Sequence, residues 1–199
     1  MIYPPGVPAR GGCGPQLPAA CQIPGDTSCR ESFEWALRRL RDCTENHHLC
    51  SEYAQSPLPK RVLDLGGPRD SEVRLLTSEG EIIRRCVCLS HCWGTMTRLR
   101  TFTTNLDSHA SCIPWDSLPP TYRDAVRFVR RLDIRYLWID SLCIIQDDGE
   151  DWRREASKMA SIFEGAYHTV AATYALSTTE PACSPLPAGT RVDLYGCRV

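Results

Sequence analysis

The sequence predicts an α/β domain in which helices cover a mostly parallel central sheet. Three observations predict it. The second half of the chain alternates strand, helix, strand, helix, strand, the order that builds right-handed crossovers over parallel strands. Tyr136 to Ile145 is a near-continuous apolar run, which is how a strand buried on both faces reads. The 199 residues are 42% hydrophobic and 24% charged, enough for one folded core and unlike a disordered chain.

Each element follows from its local pattern. Residues 1–30 hold six prolines and five glycines without periodicity, and read as a disordered leader. They lack the basic start and apolar stretch of a secretory signal. Between Glu31 and Cys43, Phe33, Leu37 and Leu40 fall at i, i+4 and i+7, which predicts a helix; a loop then runs to Lys60. Arg61 to Leu65 alternates and reads as a strand closed by Gly66-Gly67-Pro68. Val73 to Leu76 and Ile82 to Leu89 read as two strands of a hairpin around Ser78-Glu79-Gly80. Residues 95–120 are polar and irregular. Thr121 is placed to cap a helix with the apolar stripe Tyr122, Ala125, Val126, Val129 and Leu132. Asp147-Asp148-Gly149 ends the apolar run, residues 151–165 return to helical period, and Tyr167 to Thr173 reads as a strand. Beyond Thr173 the pattern fades. The organisation expected is a leader (1–30), a helix and loop (31–60), an α/β domain (61–175) and an irregular, truncated tail (176–199).

Charge and cysteine usage narrow the function classes. The chain has 23 basic and 24 acidic residues, a net charge of −1, which argues against a bulk electrostatic nucleic-acid binder. No apolar run approaches the roughly 18 residues of a membrane span. Twelve cysteines are about 6% of the chain, below the roughly 8–10% of a disulfide scaffold. With no secretory pattern, reduced thiols and a cytoplasmic location are expected. G-x-G-x-x-G, P-loop and H-E-x-x-H patterns are absent, so dehydrogenase, NTPase and zinc-protease chemistry lack support.

Two blocks resemble a known family. Cys88-Leu89-Ser90-His91-Cys92-Trp93-Gly94 is similar to the first signature block of the fungal heterokaryon-incompatibility (HET) domain. Tyr136-Leu137-Trp138-Ile139-Asp140-Ser141-Leu142-Cys143-Ile144-Ile145-Gln146-Asp147, followed by Asp151-Trp152 with Glu155 and Met159 in phase, resembles its central block. The resemblance covers residues 30–175 and implies a role in fungal nonself recognition ending in programmed cell death. It also implies a fold akin to Toll/interleukin-receptor (TIR) domains, a flavodoxin-like three-layer sandwich, some of whose members cleave NAD. Fold kinship alone does not transfer that chemistry. The sequence departs from the family pattern in three places. Cys86 and Cys88 stand where the family has Tyr and Ala, Asp133 stands where it has Gly, and family members are longer.

The candidate chemistry centres on carboxylates. Asp140, near the C-terminal end of the expected buried strand, lies where open parallel sheets hold ligands; the alternative is an acid that caps loop N–H groups. Ser141 can assist by hydrogen bonding but has no identified base. Glu155 shares an expected helical side with Trp152 and Met159, placing it as a general acid/base or an oxocarbenium-stabilising carboxylate, or as a structural acid paired with an arginine. Asp147 is the alternative catalytic carboxylate. Asp151 is explained by the helix dipole. Ser90, Trp93 and Gly94 follow a strand, where Gly94 permits a tight turn and Trp93 offers a flat surface for a ligand ring or for the core. His91 and Cys92 are adjacent, so they point to opposite faces of a strand and do not form a nucleophile–base pair. Cys143 reads as a small hydrophobe. Cys43, His47, His48 and Cys50 are zinc-type ligands, but the spacing is not that of a finger, and no metal site is assigned.

Two function classes follow. In the first, the chain is an effector or interaction module that works with protein partners or by self-association, with the arginine-rich face of the 121–132 helix as a contact surface or simply a solvated one. In the second, it is a TIR-like hydrolase with NAD as substrate beside Ser90, Trp93 and Asp140, and a carboxylate from Glu155 or Asp147. A truncated, inactive family member is a third outcome. No other cofactor is implied.

Overall fold

The computed structural model describes residues 29–47, 56–67, 72–78, 83–93 and 99–172. The expected leader over 1–28, the tail beyond 172, Gly94, and His48 and Cys50 of the Cys/His cluster lie outside them. The described helices are α1 (Arg30–Asn46), α2 (Leu106–Ser111), α3 (Pro120–Arg131), α4 (Asp140–Cys143), α5 (Gly149–Ala156) and α6 (Met159–Gly165). The strands are β1 (Ser56–Pro57), β2 (Arg61–Asp64), β3 (Arg74–Thr77), β4 (Ile83–Arg84), β5 (Cys86–Ser90), β6 (Tyr136–Trp138) and β7 (His168–Ala171). A 3-10 turn covers Trp115–Ser117, so the stretch read as irregular holds a short helix and a turn.

Five strands form one sheet in the order β3-β2-β6-β5-β7. β5 is parallel to β6 and to β7, whereas β2 is antiparallel to β3 and to β6. The fold is therefore α/β, but the sheet is mixed, and the expected mostly parallel sheet is corrected. The reason is local. The connection from β2 to β3 is too short for a crossover, and such a link joins antiparallel neighbours. That pairing takes β3 as the partner of β2 (Val62 opposite Leu76, Leu63 opposite Leu75), so the expected 73–89 hairpin does not form. β4 pairs instead with β1.

The run from Tyr136 to Ile145 is buried throughout except at Asp140, which is half-buried. It is not one strand. β6 stops at Trp138 and the chain turns into α4. Continuous apolarity does not distinguish a buried strand from a buried helix, and the polar pair Asp140-Ser141 marks the switch. Residues 151–165 likewise divide into α5 and α6 around Ser157 and Lys158.

The core sits on both faces of β5 and β6. Cys88 lies opposite Trp138, the Cys88 Sγ–H reaches the Ile162 carbonyl at 3.8 Å, and Trp138 meets Phe163 edge-to-face at 5.6 Å. That face is therefore covered by α6. Alternation gives Val87, Leu89 and Leu137 to the other face, and all three are buried. α3 supplies the expected stripe: Tyr122, Ala125, Val126 and Val129 are buried. It starts on Pro119-Pro120, not on a Thr121 cap, because proline fits the first turn, where the missing N–H has no partner to lose. α1 rests on α3 through Phe33 and Phe128, 5.5 Å apart and edge-to-face.

α3 ends through Asp133, whose φ is 57°. The Asp133 N–H donates to Arg130 O at 3.0 Å and the Ile134 N–H to Val129 O at 3.3 Å. A left-handed residue just past a helix is usually glycine, because a Cβ there is strained. This explains a Gly at that position in the resembling family. Replacing Asp133 by Gly is expected to raise unfolding free energy by about 1 kcal/mol, measured as a higher urea midpoint at unchanged m-value.

Candidate functional site

The C-terminal ends of the parallel strands β5 and β6 bring the two sequence blocks together. Residues just beyond β5 meet the first turn of α4. The Trp93 Nε1–H donates to Asp140 Oδ2 at 2.9 Å, while Asp140 Oδ1 accepts the Ser141 backbone N–H at 2.7 Å. Asp140, the first residue of α4, thus accepts from its own turn and holds Trp93. The Trp93 indole is half-buried; this bond uses its N–H and not its ring face.

A second chain of bonds runs beneath. The Tyr122 hydroxyl lies 2.7 Å from Ser141 Oγ and 3.0 Å from His91 Nε2, and the His91 ring meets Tyr122 edge-to-face at 5.2 Å. Tyr122 and Ser141 are fully buried. Burial pushes the Tyr122 hydroxyl well above its ordinary value. Burial also lowers the His91 pKa, opposed by the charge of Asp140. Ser141 is therefore a link in a buried network that α3 completes, not an accessible nucleophile. His91 turns to Tyr122, while Cys92 is exposed, as their adjacency requires.

The loop at 99–105 straps this turn. The Thr101 N–H donates to Ser141 O at 3.0 Å, the Gln146 N–H donates to Thr101 O at 2.8 Å, and the Thr101 hydroxyl donates to Leu142 O at 2.7 Å. That hydroxyl has one proton, so at its 3.0 Å contact with His109 Nδ1 the imidazole is the donor. Asp147 fastens the same loop by accepting from the Thr103 N–H and hydroxyl, each at 2.8 Å. Those bonds lower its pKa.

The acids of α5 form a separate group. Asp151 and Glu155 are buried, 1% and 3% exposed, whereas Trp152 is 49% exposed and Met159 begins the next helix. The expected shared side of Trp152, Glu155 and Met159 is thereby corrected. Residues i and i+4 share a helix face, and the inward pair is Asp151 and Glu155. Asp151 is not simply a dipole acid. It accepts from Arg61, from Lys60 at 2.9 Å, from Arg154 at 2.6 Å and from the Ile145 N–H at 3.1 Å. Burial alone would raise its pKa, but these donors, led by Lys60, hold it down at about 2. Arg61, 3% exposed, also donates Nε–H to Cys143 O at 2.8 Å. Glu155 Oε1 accepts from Lys158 at 3.2 Å and Arg154 at 3.3 Å.

A cavity of about 500 Å³ adjoins this group, with Glu155, Cys86 and Cys88 in its wall. Burial raises both thiols well above the ordinary range and takes buried Cys143 to about 12. All three are therefore packed thiols, not nucleophiles. Among the described residues no group of three or more His, Cys, Asp or Glu is placed to hold a metal.

The sequence-predicted residues fall into three places. Ser90, Trp93, Asp140 and Ser141 lie at the strand edge, Ser90 as the exposed last residue of β5. Asp147 serves the 99–105 loop. Glu155 lines the cavity and Trp152 faces outward. Asp140, Asp147 and Glu155 each have their own donors and share none. Tyr122, Arg61 and Asp151 escaped sequence reasoning as site residues. The i, i+4 spacing of Asp151 and Glu155 was the one available signal. The arginines of α3 bind their own chain. Arg130 donates to Leu65 O and Glu72 O, Arg127 stacks on Trp115 at 5.3 Å and Arg131 on Phe33 at 3.7 Å.

Comparison with known proteins adds one finding. A family model described as Heterokaryon incompatibility protein (HET) matches residues 87–191. No curated relative and no solved structure matches the chain.

Acid sensitivity follows from the buried carboxylates. Arg135, with help from the Gly66 N–H and Arg74, holds Asp64 well below the usual range against the cost of burial, and Asp151 is depressed too. A depressed folded pKa contributes stability that is complete above the unfolded value, about 4, and is lost as pH falls toward the folded one. Unfolding free energy is expected to decline between about pH 4 and pH 2, with a shallower decline in Asp151→Asn, measured by urea titration at each pH.

Proposed function

The chain belongs to the heterokaryon incompatibility family, whose signature spans more than half of it, and from that premise we propose that it is an effector or interaction module. The module acts in fungal nonself recognition and programmed cell death signalling, in the cytoplasm, through protein partners or self-association. The observation that carries this reading is the Trp93–Asp140 hydrogen bond. It joins the two signature blocks into one structural unit, so that both blocks are accounted for by construction of a surface. Outside that unit, on α5, Trp152 presents its ring to solvent at 49% exposure, and tryptophan is among the residue types most enriched where partners bind. No described helix is long and apolar enough to cross a membrane.

NAD cleavage, the alternative reading, calls for a carboxylate from Glu155 or Asp147 beside a ligand held at Ser90, Trp93 and Asp140. Asp140, Asp147 and Glu155 are engaged with separate donors, which favours the module.

Induced expression in a filamentous fungus tests the proposal. The chain is expected to reduce viability, and Trp152→Ala to restore it at least tenfold while leaving the thermal unfolding midpoint unchanged. Full toxicity in Trp152→Ala would remove the interaction surface from the reading. Nicotinamide release from NAD by purified protein, lost in Glu155→Ala, would replace the module by the hydrolase.

A further inference from the structure

The cavity beside α5 and α6 is not used by the reading above. Its wall combines Lys60, Lys158, Ser161, Cys86, Cys88 and Glu155. Its volume of about 500 Å³ lies within the roughly 300–1,000 Å³ of small-ligand sites.

Glu155 points to a ligand. The residue is 3% exposed, and both of its donors reach the same oxygen, Oε1. Among the described residues, Oε2 accepts no hydrogen bond. Glu155 lines the cavity, and a carboxylate oxygen offers two lone pairs, so an O–H or N–H in the cavity finds an open acceptor at Oε2. A cationic donor does not suit the place. Lys60, Arg61, Arg154 and Lys158 surround only two carboxylates, Asp151 and Glu155. Two of those cations, Lys60 and Lys158, stand in the cavity wall with side chains 35% and 50% exposed. Each ammonium has three protons, so both retain donors for an anion. The thiols of Cys86 and Cys88 supply apolar surface for a carbon skeleton.

We propose that this cavity binds a hydroxylated organic anion. A ligand hydroxyl donates to Glu155 Oε2 while the anionic group sits against Lys60 and Lys158. A sugar phosphate has both parts. The site is distinct from the strand-edge unit of Trp93 and Asp140, so it stands or falls independently of the signalling role.

Isothermal titration calorimetry on the full chain with ribose 5-phosphate, ribose and inorganic phosphate tests it. Ribose 5-phosphate is expected to bind saturably, at least tenfold tighter than either fragment. Glu155→Gln and Lys158→Met are each expected to weaken it at least tenfold. Ser161→Phe, which fills the cavity without touching the ion pairs, is expected to abolish it, and Glu45→Gln on α1 to leave it unchanged. Absence of saturable ribose 5-phosphate binding, affinity no greater than that of phosphate alone, or unchanged affinity in Ser161→Phe would overturn the proposal.

Discussion

The buried pairing of Arg61 with Asp151 is the constraint on which the rest of the architecture depends. Arg61 opens β2, and Asp151 lies in the first turn of α5. Between them they also hold the Cys143 carbonyl and the Ile145 N–H, the two backbone groups that flank the end of α4. The pair therefore fixes where the chain leaves α4 and where α5 begins. Taking two charges out of water is expensive, and the cost is met only when the remaining donors and acceptors are satisfied. Lys60, Arg154 and the backbone groups satisfy them here.

With that end fixed, the other end of α4 is free to serve the sheet edge. Asp140 accepts from the Ser141 N–H and holds Trp93, while Ser141 reaches Tyr122 and, through it, His91. The signature blocks of the heterokaryon incompatibility family are thus explained largely by mutual support. Their polar residues satisfy one another at the place where β5 and β6 end. What the unit leaves outside itself is Trp152 on the surface and the cavity lined by Glu155, which is where recognition is proposed.

Much of this was legible in the residues. The stripe on α3 was readable because four apolar side chains repeat at helical spacing. The meeting of Asp140 with Trp93 at a strand end was readable from the motif and the edge rule for ligands. The turn of the chain after Trp138 was not, because an unbroken apolar run carries no period to separate strand from helix. The antiparallel placement of β2 was hidden for a related reason. Val62 and Leu63 are buried on both faces, so their pattern fixes burial and leaves strand direction open. Asp151 looked like a dipole acid because its partners, Lys60 and Arg61, lie some ninety residues away in sequence.

The most direct measurement is a double-mutant cycle on Arg61→Met and Asp151→Leu, read by urea unfolding. Asp151→Leu leaves the buried Arg61 without a carboxylate and is expected to cost roughly 3–5 kcal/mol, whereas Arg61→Met leaves Asp151 with Lys60 and Arg154 and is expected to cost less. The double variant removes both charges, so its loss should fall short of the sum of the two by more than about 2 kcal/mol. Losses that simply add would show that Arg61 and Asp151 act independently, and would contradict the placement of this pair at the centre of the fold.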